Sequence, residues 1–189
     1  MTPFEFIALA ISVILGLAIT RLISGIGVSI RQIRLKRFSW IHGLWQINIF
    51  ILIPGFWWGL YEWSNLPNWN FFHFIFLIIY ITNLYLITDF LIPNLNQEDI
   101  NFKEHFTKNR NMFFILLFLS FPIDLYETSI LVNENLREFP KGYFLTNISL
   151  SILTVLNLFS KKLWLDYVLG ALWTLILVAY IVFSIFLIT

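Results

Sequence analysis

The stretch FFHFIFLIIYITNLYLITDFLI, from Phe71 to Ile92, decides the fold. It carries one formal charge, Asp89, and Pro93 follows it directly. A helix needs about 20 mainly apolar residues to cross the hydrocarbon of a bilayer. The run is continuously apolar, whereas the strand of a membrane barrel would alternate. Five further stretches read the same way, at approximately 4–30, 40–61, 112–132, 143–159 and 163–188. The expected fold class is therefore all-α, a polytopic transmembrane bundle of six helices. It forms one transmembrane domain over 1–189.

Composition agrees with this reading. Of 189 residues, 59% are hydrophobic and 12% charged, with 8 Trp, 7 Tyr and 21 Phe. Mean hydropathy is +0.79. Charged residues make up about 25% of an ordinary soluble domain, so too few polar side chains are present to coat one in water. The chain has no Cys, which removes disulfides, thiolate metal sites, iron–sulfur clusters and thiol catalysis. A net charge of +1 implies no polyanion partner, and nothing supports nucleic-acid binding. Met1-Thr2-Pro3-Phe4-Glu5 lacks a basic n-region, so the first apolar run reads as a retained span rather than a cleaved signal.

Lysine and arginine set the expected orientation. Arg31, Arg34, Lys36 and Arg37 lie in the first loop, Lys103, Lys108 and Arg110 in the third, and Lys161 and Lys162 in the fifth. These nine would share one face, against Arg137 and Lys141 on the other. The odd loops then face the cytoplasm and both termini face outside. The third loop, Asn94 to Asn111, reads either as a short interfacial helix or as a solvated loop.

Charges inside spans are costly and are generally paired or water-facing. Arg21, His42, Asp89 and Asp166 fall in the cytoplasmic half, which suggests an inner polar layer: either a lock in which Arg21 pairs with Asp89 or Asp166, or a gate. On the fourth span, Asp124 and Glu127 stand three residues apart on one helical face, just after Pro122. No Lys or Arg occupies the outer half of any span, so this pair is expected to find no fixed counter-charge. Two carboxylates of that kind suit a cation or a proton, and they are the candidate ion-binding residues. The outer side as a whole is acidic, which would concentrate cations there.

Two features are not ionic. Ala8, Ser12, Gly16, Thr20 and Ser24 recur every four residues on the first span, as in small-xxx-small helix packing. That stripe could pack inside the bundle or form a homo-oligomer interface. Most tryptophans fall near span ends, as belt residues do. Trp57 and Trp58, beside Pro54-Gly55, could instead line an aromatic groove. His42, His73 and His105 have no metal-binding spacing, so no metal site, haem or other cofactor is expected.

Ile11-Ser12-Val13-Ile14-Leu15-Gly16-Leu17-Ala18-Ile19-Thr20-Arg21-Leu22-Ile23-Ser24-Gly25, followed by Trp40-Ile41-His42 and Phe56-Trp57-Trp58, resembles a group of small uncharacterised bacterial multi-span proteins. The resemblance covers mainly the first third of the chain. It implies a bacterial inner-membrane location and no activity. The leading functional expectation is a small cation or proton channel or transporter-like protein. The alternatives are a non-transporting interaction or signalling subunit assembled through the first span, and a lipid-acting membrane enzyme.

Overall fold

The computed structural model describes residues 2–34, 38–94, 101–160 and 162–187. Lys36, Arg37, Ile100, Lys161 and Ile188 lie outside the described residues. Six helices follow in order: α1 (Pro3–Arg34), α2 (Trp40–Trp63), α3 (Phe71–Leu91), α4 (Phe102–Asn133), α5 (Tyr143–Phe159) and α6 (Leu163–Leu187). No strand occurs among the described residues. Five helices are long and apolar enough to cross a membrane, while α5, at 17 residues, is shorter. The chain is thus a multi-pass, membrane-type helical bundle.

Its surface supports that environment. Phe6 (63% exposed), Val13 (66%), Trp58 (82%) and Leu145 (74%) are large apolar side chains on the outer surface. A bilayer accepts such side chains and water does not.

Local chemistry sets the helix ends. Thr2 and Glu5 exchange backbone and side-chain hydrogen bonds at the start of α1, Thr2 N donating to Glu5 Oε2 at 2.9 Å and Glu5 N to Thr2 Oγ1 at 3.2 Å. This is a reciprocal capping box. Asn70 caps α3 by accepting from His73 N at 2.9 Å. Asn101 caps α4 by accepting from Glu104 N at 3.1 Å.

The start of α4 corrects the expected third loop. Residues 102–111 are neither solvated loop nor separate interfacial helix, but the first turns of a continuous 32-residue helix. Phe102 and Phe106 are buried while Lys103, Glu104, Thr107 and Lys108 are exposed. That helical periodicity lets the segment lay an apolar face on the bundle. Phe102 packs on His42 in a tilted arrangement with ring centroids 4.6 Å apart. The helix also runs on through Pro122.

Packing follows the chain: α3 lies on α4, α4 on α5 and α5 on α6, while α1 packs chiefly on α3. Helix α2 is the hub, touching α1, α3, α4 and α6. Two glycines permit close approach. A Cβ on Gly25 would meet Ile92 Cδ1 at 2.5 Å, and one on Gly170 would meet Leu44 Cδ2 at 2.9 Å. At the centre Trp45 is fully buried against Phe113, Phe114 and Trp173, at centroid distances of 5.4, 5.1 and 5.6 Å.

The small-residue stripe lies at the edge of the intramolecular seam of α1. The buried face of α1 is Ile7, Ile11, Leu15, Ala18, Leu22, Gly25 and Ser29. Ala8, Ser12 and Gly16 sit beside it, half-buried, and Thr20 and Ser24 are exposed. Open space surrounds the Cβ position of Gly16. Large aliphatic side chains form the intramolecular seam because they bury more area, and the stripe is turned by part of a helical turn toward the outside.

Candidate functional site

At the end of the bundle formed by Trp63, Arg137 and Tyr143, five helices surround a partly open cavity of about 260 Å³. Only α1 contributes nothing to its lining. Asp124 and Glu127 both line it, so the structure brings the two expected carboxylates together in one space.

Neutral donors hold Asp124. Tyr80 Oη donates to Oδ1 at 3.1 Å, and Tyr143 Oη and Asn147 Nδ2 donate to Oδ2 at 2.7 and 3.4 Å. Glu127 is buried; Trp63 Nε1 donates to its Oε1 at 2.8 Å, and Thr128 Oγ1 lies 3.4 Å from Oε2.

One expectation is corrected here. Glu127 has a counter-charge after all: Arg137 Nη1 lies 3.3 Å from its Oε2. The same guanidinium donates through Nε to Glu62 and through Nη1 to Thr128 Oγ1. Arg137 belongs to no span. It reaches the site because α4 ends in a Schellman turn. Asn135 takes the left-handed conformation (φ 58°), Leu136 N donates to Leu131 O at 2.9 Å, and Asn135 N donates to Val132 O at 3.0 Å. The turn folds the next residue back over its own helix. Burial works against the charge of Arg137, but Glu127 and Glu62 outweigh it and raise its pKa above the ordinary arginine value. Three carboxylates (Glu62, Asp124, Glu127) therefore gather around one guanidinium.

The expected inner layer separates into two clusters. Arg21 Nε meets Asp89 Oδ1 at 2.6 Å, but Asp166 pairs with Arg110, whose Nη2 lies 2.8 Å from its Oδ1. Asp166 is not a partner of Arg21. Both arginines also collect carbonyls at helix ends. Arg21 Nη2 donates to Ile92 O at 3.0 Å, and a ring nitrogen of His42 lies 2.8 Å from Leu91 O and one of His105 3.1 Å from Phe90 O. Pro93 stops α3, and side chains from α1, α2 and α4 satisfy the three successive carbonyls before it. Arg110 likewise donates to Ser160 O and Asn157 O at the end of α5. A cation at a helix C-terminus also complements the macrodipole. Arg21, His42, Asp89 and Asp166 thus take part in closing two helix ends, and none of them lines the cavity.

Between the cavity and these clusters lies the Trp45, Phe113, Phe114 and Trp173 packing, each residue at most 1% exposed. Trp57 and Trp58 do not line the cavity; Gly55, Phe56 and Gly59 of the same helix do. Sequence reasoning missed Tyr80, Tyr143, Asn147, Trp63 and Arg137. The signal for Arg137 was present in Asn135-Leu136, an αL-tolerant residue followed by an apolar one after a helix. Among the described residues no group of three or more His, Cys, Asp or Glu could hold a metal ion. In comparison with known proteins, the chain matches no family model, no curated protein and no solved structure.

Proposed function

We propose that this multi-pass membrane protein is a carrier of transporter type that binds a cation or a proton at Asp124 and Glu127, rather than a standing-open channel. The observation that carries the reading is the charge imbalance at the cavity: Asp124 and Glu127 line it with Arg137 alone as a cation, and that guanidinium is shared with Glu62 at the rim. Unbalanced buried charge is expensive, and a bound cation or proton relieves it. The aromatic packing below the cavity favours a carrier, since a channel needs a continuous path. By the distribution of basic residues, the site would face away from the cytoplasm of a bacterial inner membrane, with both chain ends on that side.

Uptake into reconstituted vesicles under an imposed cation or pH gradient tests the reading. Asp124→Asn with Glu127→Gln should bring uptake to the level of empty vesicles. Unchanged uptake in the double variant overturns it. Reporter fusions at the two ends test the orientation.

A second reading is favoured by the open Cβ direction at Gly16. The outward stripe of Ala8, Ser12, Gly16, Thr20 and Ser24 would then join two copies through α1. Gly16→Leu should convert a dimer to a monomer in cross-linking and mass measurements. A wild-type chain that is already monomeric in lipid removes this reading.

A further inference from the structure

We infer that the cavity selects a small organic ammonium ion bearing apolar groups over an inorganic cation, an inference that rests on the cation reading above. A hard inorganic cation needs about six oxygen ligands at roughly 2.0–2.6 Å. The four carboxylate oxygens available here are already engaged: Asp124 accepts from Tyr80, Tyr143 and Asn147, and Glu127 from Trp63, Arg137 and Thr128. Drawing them into a coordination shell would compete with the donors that already hold them. A diffuse ammonium charge needs no such shell and is stabilised at longer range by carboxylates held in place.

The walls point the same way. The rings of Phe56, Tyr80, Phe121 and Tyr143 line the cavity beside Asp124. Aromatic faces within about 6 Å of an organic cation attract it, most strongly when water is excluded. Along α2 and α6 the lining is apolar, with Ile51, Leu177 and Ile181. The α2–α6 polar contact, Thr174 to Asn48, and the tight approach of Gly170 to Leu44 fall nearer the aromatic packing. From Ile51 onward these helices form facing walls of the cavity. The cavity, at about 260 Å³, lies just below the roughly 300–1,000 Å³ of small-molecule sites. A bare ion would leave most of it unfilled. An ammonium set toward Asp124, with its substituents against Phe121 and the α2–α6 wall, would fill it and offset the excess negative charge.

The test is direct binding to the purified chain in a neutral maltoside detergent, which supplies no ammonium head group. Tetramethylammonium and tetraethylammonium chloride are compared with sodium and potassium chloride at equal ionic strength, by calorimetry and by intrinsic tryptophan fluorescence, to which Trp63 beside Glu127 contributes. The expected result is saturable binding of a tetraalkylammonium ion that excess sodium or potassium does not displace. It should be lost in Asp124→Asn and weakened in Phe121→Leu, with folding of both variants checked by gel filtration. The wild-type competition needs no variant to be decisive. Saturable sodium or potassium binding that tetraalkylammonium cannot displace overturns the inference and leaves the cation reading standing. Binding by neither class also overturns it, and the carrier reading is then decided separately by the vesicle assay, which detects protons as well.

Discussion

The two ends of the bundle use charge in opposite ways. At one end each arginine meets a single carboxylate and also caps a helix: Arg21, paired with Asp89, caps α3, and Arg110, paired with Asp166 of α6, caps α5. Nothing is left over, and these residues line no cavity. At the other end one arginine is shared between Glu62 and Glu127, Asp124 is held by neutral donors alone, and a cavity lies between them. Balanced charge beside closed helix ends serves architecture. Unbalanced charge beside open space is what a ligand can complete. Depth in the membrane does not by itself separate these two kinds of ionisable residue; the ratio of charges and the space beside them do.

The sharpest way to break this contrast lies at the balanced end. Arg110→Met strands Asp166, which is almost fully buried, together with two helix-end carbonyls. Removing one partner of a buried pair costs about 3–5 kcal/mol, so thermal unfolding in detergent should shift strongly down or the chain should fail to fold. Adding Asp166→Leu should recover part of the loss, because it removes the stranded charge while the two carbonyls stay unpaired. Organic cations should give no rescue at this end.

Arg137→Met, at the unbalanced end, strands the almost fully buried Glu127 in the same way and should cost a similar amount, about 3–5 kcal/mol. Here tetramethylammonium should restore part of the lost melting temperature. A rescue at Arg110 rather than Arg137 would reverse the assignment of the two ends. Trp63→Phe keeps the aromatic packing against Trp69 and His73 but removes the donor to Glu127. About 1–2 kcal/mol of stability should go with it, the cost of a buried acceptor left unsatisfied. The smallest effect is expected for Asp89→Asn. Its side chain is 40% exposed and that of Arg21 31% exposed, and pairs of that kind contribute about 0–1 kcal/mol. Melting should barely move, and Arg21 should keep its bond to Ile92 O.

Much of the fold was legible because crossing a bilayer imposes length and apolarity on each helix separately. The ends of α3, at Phe71 and before Pro93, can be read residue by residue. Two things could not be read that way. The first turns of α4 carry Lys103, Glu104 and Lys108, and their helicity depends on Phe102 and Phe106 finding His42 in another part of the chain. The site was half legible. Asp124 and Glu127 stand out as acidic residues in an apolar run, whereas Tyr80, Tyr143 and Asn147 look like ordinary span residues until tertiary packing aims them at one carboxylate. Arg137 was set aside because it lies in a loop, and a six-residue turn is what returns it to the helix. Arg21, His42, Asp89 and Asp166 share a depth, and depth alone made them look like one layer.

The position of α1 has a consequence for how the bundle is made. Its main seam is with α3, and it lies outside the ring of five helices around the cavity. Chain synthesis delivers α2 first, and α2 offers α1 a smaller contact. The first helix therefore lacks its main seam until residues 71–91 emerge. A chain truncated after α2 would hold α1 as a loosely attached helix, and one extended through α3 would lock it in place. Assembly of the first half is thus gated by the arrival of the stretch that also defines the fold.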